Sequence, residues 1–237
     1  MLFQRWLFRR GAVGDENLNN VQIFATFKFE RCSYSETVMP TLYDIKPAFQ
    51  ARLRPLTKRL AALGVTANQV TIAACLLSIA AGAAIALWPQ QRAVYWLLPL
   101  ALFVRMALNA IDGMLAREHG QASKLGMFLN ELCDVVSDLA LILPFAATGL
   151  FPAWGVVAFA LLAVMAELAG ILGVPAGAGR RYDGPLGKSD RALALGVIAA
   201  LIALGAPLAS VAPYVFPLLA LLSALTVVNR VRASLKN

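Results

Sequence analysis

The stretch "NAIDGMLAREHGQASKLGMFLNELCDVVSD", residues 109–138, places three aspartates, two asparagines, two glutamates and an arginine in a chain otherwise dominated by Leu, Ala, Val and Ile. Its polar and small residues recur every three or four positions. Asn109, Asp112 and Ala116 form one series, and Gly126, Asn130, Asp134 and Asp138 form another. Residues at that spacing share a helix face. The segment therefore reads as the end of one helix and the body of the next, each with a single polar stripe. The short link "REHGQASK" (117–124) makes the two helices antiparallel neighbours whose stripes face each other. Arg105 lies one turn before Asn109.

Outward from this segment, the composition decides the fold class. Of 237 residues, 59% are hydrophobic and only 14% charged. A soluble domain of this size rarely carries so little charge. Runs of about 20 apolar residues are long enough to cross a bilayer as helices. Six are expected, at 66–87, 92–115, 124–149, 153–175, 190–206 and 210–233. Backbone groups inside lipid must pair within their own segment, so an all-α polytopic membrane protein follows. Pro89, Pro152, Pro175, Pro207 and Pro213 fall near the expected ends. Thr66 and Gln69 have capping-box spacing at the first start.

Lys and Arg gather before the first span, in 117–124, in 180–191 and after 229, whereas the alternate loops carry little beyond Arg92. This asymmetry places both termini and those two loops in the cytoplasm. The net charge of +8 then suits an anionic lipid surface and needs no nucleic acid. Cys32, Cys75 and Cys133 have no paired spacing and read as small apolar residues.

Three regions are expected. Residues 1–38 are poorly organised and read as a leader or an upstream extension, with Met39 as the favoured start. Residues 39–64 set Phe49, Leu53, Leu56, Leu60 and Leu63 at helical spacing among Arg52, Arg54, Lys58 and Arg59. This is an interfacial amphipathic helix, apolar face toward acyl chains, with a kink or restart at Pro55. Residues 65–237 form the six-helix membrane domain.

A charge at membrane depth costs several kcal/mol or more unless it is paired or hydrated. Asp112 and Asp134 would offset that cost by holding a divalent cation, since Mg²⁺ favours carboxylates together with substrate phosphates. A carboxylate not committed to metal can serve as a base. The small residues Gly113, Ala116 and Gly126 leave room for a flat ligand, whose phosphates would meet Arg117.

This pattern resembles the signature of the CDP-alcohol phosphotransferase (phosphatidyltransferase) family, D-x-x-D-G-x-x-A-R, eight residues, then G-x-x-x-D-x-x-x-D. Asp112-Gly113, Ala116-Arg117, Gly126, Asp134 and the gap 118–125 match it, and the resemblance covers roughly residues 66–233. It implies a membrane enzyme of phospholipid synthesis in which an alcohol attacks the lipid-side phosphorus of a CDP-linked donor, such as CDP-diacylglycerol, and CMP leaves. It implies Asp112 as metal ligand, Asp134 as base, Gly113, Ala116 and Gly126 around the cytidine, Arg117 on the phosphates, and a possible homodimer. The first and third family aspartates are Asn109 and Asn130 here, which keep a carbonyl ligand but no charge. One tightly held Mg²⁺ or Mn²⁺ is expected, with Asp112, Asn109, Asn130 and Asp134 as its ligands and Arg105 partly replacing a missing cation.

The second polar stretch, "GRRYDGPLGKSDRALALG" (179–196), brings Lys188 and Arg191 to one face if a helix begins near Ser189. By resemblance these two would receive a phosphorylated or otherwise anionic acceptor, while Arg180 and Arg181 satisfy the inside-positive bias. Asp138 would orient water or a partner arginine. Glu131 points off the stripe, Glu167 pairs to another span or serves the site, and His119, the single histidine, reads as surface. Two other classes stay open: an inactive relative that binds CDP-lipids or partners, and an ion or proton transporter. A transporter should spread its polar groups across the membrane depth, and here they crowd at one side.

Overall fold

The computed structural model describes residues 42–236. The expected leader at 1–38 lies outside the described residues. Seven helices follow in order: α1 (Leu42–Ala62), α2 (Ala67–Leu87), α3 (Leu97–Glu118), α4 (Lys124–Ile142), α5 (Ala153–Leu172), α6 (Lys188–Ala203) and α7 (Ala212–Leu235). A 3₁₀ turn at Arg92–Trp96 leads into α3, and another at Leu143–Ala147 closes α4, where Pro144 removes a backbone donor. Among the described residues there is no strand.

The expected spans α2 to α7 are each helical, with ends shifted by a few residues. Four segments are long and apolar enough to cross a membrane: Ala67–Leu87, Arg92–Glu118, Ala153–Leu172 and Ala212–Leu235. The chain is a polytopic membrane protein, all-helical among the described residues. The outer surface agrees with that class, for Leu76, Leu100, Phe103, Leu161, Leu168 and Leu221 all stand exposed, as lipid-facing side chains should. Two helices are weaker as isolated spans. α4 carries Lys124, Glu131, Asp134 and Asp138, and α6 has only 16 residues.

The helix starts obey local chemistry. Thr66 and Gln69 form the expected capping box on α2. Ser123, which the sequence reading passed over, caps α4 by accepting the Gly126 N–H. Asp190 accepts the Gly187 N–H at the head of α6. α1 does not restart at Pro55: it runs unbroken from Leu42 to Ala62, because one missing donor removes a single hydrogen bond while helical φ is retained.

α1 also departs from the picture of a helix lying only on acyl chains. Leu53 and Leu60 pack on a cluster of Ala67, Val70, Ile111, Met114 and Leu115. Phe49 meets Phe103 edge-on at 6.4 Å. Leu56 and Leu63 remain exposed, so the stripe is shared between protein and surroundings. Arg54 binds Glu118 through two hydrogen bonds of 3.0 and 2.9 Å, an exposed pair of small energetic weight.

The main core lies at the other end of the bundle. Phe145, Phe151, Phe159 and Phe216 interlock there, with centroids 4.9 Å apart for Phe151–Phe216 and 5.4 Å for Phe145–Phe216. Small residues let α2 approach α4: a methyl on Gly82 would lie 1.9 Å from the Ala140 carbonyl oxygen. Close backbone approach is how helices pack in lipid, where no hydrophobic force drives them together. Gly82→Ala must push α2 off α4, and a loss of about 1–3 kcal/mol, as for overpacking, is expected. Unfolding in detergent measures it, and an unchanged midpoint would contradict the packing.

Candidate functional site

α3 and α4 carry the two stripes, and a side chain from their connection fixes the register. Gln121 accepts the Ala67 N–H at 2.7 Å and donates to the Val65 carbonyl at 3.3 Å. It thus ties the head of α2 to the α3–α4 turn. α2 in turn contributes Thr71, whose hydroxyl donates to Asp112 Oδ2 at 2.8 Å. Asp112 is buried and takes part in no ion pair among the described residues.

The two signature glycines sit at close approaches. A methyl on Gly126 would lie 2.8 Å from Asn68 Oδ1, and one on Gly113 3.0 Å from Arg117 Nη2. A polar group therefore faces each glycine. Arg117 is exposed, and Ala116 is half-buried against the Leu115 cluster.

Asp134 is gripped from two sides. Arg105 donates to its Oδ1 at 3.1 Å, and Lys188 forms an ion pair with its Oδ2. Arg105 also donates to Asp138 Oδ1 at 2.7 Å, and so bridges successive turns of α4. Arg191 binds the other oxygen of Asp138 at 3.0 Å and Glu167 Oε1 at 2.7 Å. Three cations surround Glu167: Arg191, Arg180 at 3.5 Å and Arg230 at 3.8 Å. Arg180 also pairs with Glu131. The network joins α3, α4, α5, α6, α7 and the 173–187 loop.

That loop is held down by its own bonds. The Arg181 N–H donates to the Gly170 carbonyl at 3.0 Å, and the Leu186 N–H to Thr226 Oγ1 at 3.0 Å. Arg230 donates to the carbonyls of Ala166 at 2.5 Å and Asp183 at 3.3 Å. Gly170 and Gly173 permit the fold-back, because a methyl would lie 2.8 Å from the Arg181 oxygen at the first and 2.3 Å from the Gly179 oxygen at the second.

Several expectations gain definite places. α6 begins at Lys188, which puts Lys188 and Arg191 in its first turn. Both turn toward protein carboxylates. Asp138 has two arginine partners, Glu131 leaves the stripe for Arg180, and Glu167 pairs with other elements. His119 is exposed. Thr71, Asn68, Gln121 and Arg230 were not foreseen. A threonine one turn past a capping box, and a buried cation in the last span, were the available signals.

A divalent ion of the Mg²⁺ type needs hard oxygen donors. Asp112 and Asp134 offer carboxylates. Asn109 and Asn130 are half-buried and commit their side chains to no hydrogen bond, which leaves two amide oxygens free. No group of three or more His, Cys, Asp or Glu able to hold a metal exists among the described residues. By donor type these oxygens suit a hard divalent ion, and they carry too little charge for two.

The model of the CDP-alcohol phosphatidyltransferase family matches residues 64–228. Inner membrane protein YnbA of Escherichia coli is 47% identical over 157 residues, 66% of this chain and 78% of that protein. Archaetidylinositol phosphate synthase of Pyrococcus horikoshii is 37% identical over 109 residues, 46% of this chain and 55% of that one. Among solved structures, phosphatidylinositol phosphate synthase PgsA1 of Mycobacterium tuberculosis with CDP-DAG bound aligns with a TM-score of 0.63 at 19% identity, covering 76% of this chain and 92% of that one. Its complex with manganese and citrate gives 0.62, also at 19% identity, covering 76% of this chain and 88% of that one. At such identity the likeness is one of fold.

Proposed function

Because the chain belongs to the CDP-alcohol phosphatidyltransferase family, we propose that it moves the phosphatidyl group of CDP-diacylglycerol onto an alcohol and releases CMP. The observation that carries this reading is the placement of the signature. Asp112, Gly113, Ala116 and Arg117 end α3, while Gly126 and Asp134 lie on α4. These two helices are not packed directly as neighbours, but each packs on α2. The PgsA1 structure with CDP-DAG bound supports the choice of donor. In this reading α2 to α7 all span the membrane, α1 lies at the interface, and the site and both termini are cytoplasmic.

We assign the roles as follows. Gly113, Ala116 and Gly126 border the cytidine site, where Arg117 beside Gly113 and Asn68 beside Gly126 are flexible side chains that can yield to it, and Arg117 meets the donor phosphates. Asp112, with Asn109 and Asn130, would hold one Mg²⁺ or Mn²⁺, which would neutralise diphosphate charge, and Asp134 is left uncommitted to it. Asp134 is the base. Arg105 fixes its Oδ1, so Oδ2 is the oxygen that takes the acceptor's proton. Lys188 covers Oδ2 and is part-exposed. It is released toward the donor phosphates when they arrive. The freed hydroxyl oxygen bonds to the lipid-side phosphorus, the bond from that phosphorus to CMP breaks, and CMP departs as an anion.

Purified protein with labelled CDP-diacylglycerol and a panel of alcohols tests this, with CMP and lipid product both measured. Binding of CDP-lipid with no CMP from any alcohol would favour the inactive relative, to which Asn109 and Asn130 lend weight. Calorimetric titration without donor should find about one divalent ion per chain, as so sparse a set of oxygen donors allows. Two tight ions would overturn the ligand set.

A further inference from the structure

The cations around α6 already hold anions. Glu167 sits among Arg191, Arg180 and Arg230 at 2.7, 3.5 and 3.8 Å. Arg191 is 1% exposed, Arg230 2% and Glu167 8%. The wider cluster is balanced: Arg105, Arg180, Lys188, Arg191 and Arg230 face Glu131, Asp134, Asp138 and Glu167, with Asp112 the fifth acid beside them. A three-arginine cage is the chemistry that recognises a phosphate. Here a carboxylate on α5 fills it.

We infer that Glu167 is a tethered anion occupying the arginine cage, and that it selects alcohol acceptors without a phosphate. The inference rests on the transferase reading above. A phosphate monoester carries about −1.5 to −2 charge at neutral pH. Entering this balanced, buried cluster, it would have to unseat Glu167 and leave a carboxylate unpaired. A neutral polyol meets no such opposition. Arg191 even keeps two buried donors, Nε and Nη1, without a partner. Hydroxyl oxygens can accept from such donors without adding charge. Glu167 thus sets specificity through the arginines and takes no part in proton transfer.

The test uses the full chain in detergent or nanodiscs, with inorganic phosphate and glycerol 3-phosphate as probes. Wild type should show no saturable binding of either at low millimolar concentration. Glu167→Gln keeps the shape and removes the competing charge, so its phosphate affinity should rise at least about tenfold, equivalent to about 1.4 kcal/mol. Glu167→Ala gives a second readout: phosphate should raise its thermal midpoint, while chloride at equal ionic strength should not. A merely structural glutamate would show destabilisation without phosphate-specific rescue. In CMP release, wild type should prefer glycerol or inositol to their phosphates, and Glu167→Gln should shift that ratio about tenfold toward the phosphates, as a lost repulsion predicts. Equal phosphate binding by wild type and Glu167→Gln, or a wild-type preference for phosphorylated acceptors, overturns the inference. No CMP from any acceptor defeats the transferase reading, and phosphate binding and rescue then decide the cage alone.

Discussion

Asp134→Asn is expected to lower CMP release by about 10²–10⁴-fold, the usual contribution of a positioned general base. The substitution is nearly isosteric. Its amide oxygen can still accept from Arg105, which now donates to Asp134 Oδ1 at 3.1 Å. The amide nitrogen, however, can neither take a proton nor attract Lys188. Binding of CDP-lipid should therefore persist while turnover collapses, and single-turnover CMP assays beside lipid binding separate the two. A loss below about tenfold would remove Asp134 from the base role, since catalysis by a positioned base is worth more than that.

The second large effect concerns stability. Arg191→Met should destabilise the protein by about 3–5 kcal/mol, because removing one partner of a buried ion pair strands the other. Here two carboxylates each lose their shared partner. Asp138 keeps Arg105, and Glu167 keeps Arg180 and Arg230 only at 3.5 and 3.8 Å. Arg54→Ala, at the exposed pair with Glu118, should change far less. Unfolding of both variants in the same detergent gives the comparison. A loss below about 1 kcal/mol at Arg191, the range of an exposed pair, would show that the network does not act as a buried one.

The architecture was legible where it depends on local rules. Apolar runs, proline ends and the Thr66–Gln69 box fixed the helices, and spacings of three and four fixed the stripes on α3 and α4. Glu167 was readable as a carboxylate in need of a partner, since an intramembrane charge demands one. Which partner it finds was not readable. Arg180, Arg191 and Arg230 come from three segments, and only packing brings them to one point. Arg230 looked like another inside-positive residue until the structure buried it. Asp134 shows the same limit. Its stripe could be read, whereas its two cations, one from α3 and one from α6, could not. At Pro55 the expected restart is absent, since α1 stays helical through it.

The balanced network also bears on how the chain enters a bilayer. On the insertion scale an aspartate or arginine at a helix centre costs about 2.5–3.5 kcal/mol, and α4 carries four charged residues in a 19-residue helix. Alone it would be a poor passenger for the translocon. Arg105 on α3 answers two of its acids, so α3 and α4 are best delivered as a hairpin. Asp138 is not fully answered until α6 brings Arg191, and Glu167 waits for both α6 and α7. If α4 and α6 span the bilayer as proposed, an order of assembly is expected: the acids of α4 and α5 are paired only when α6 and α7 arrive, so a chain truncated before α6 should be less stable in the membrane than the full chain.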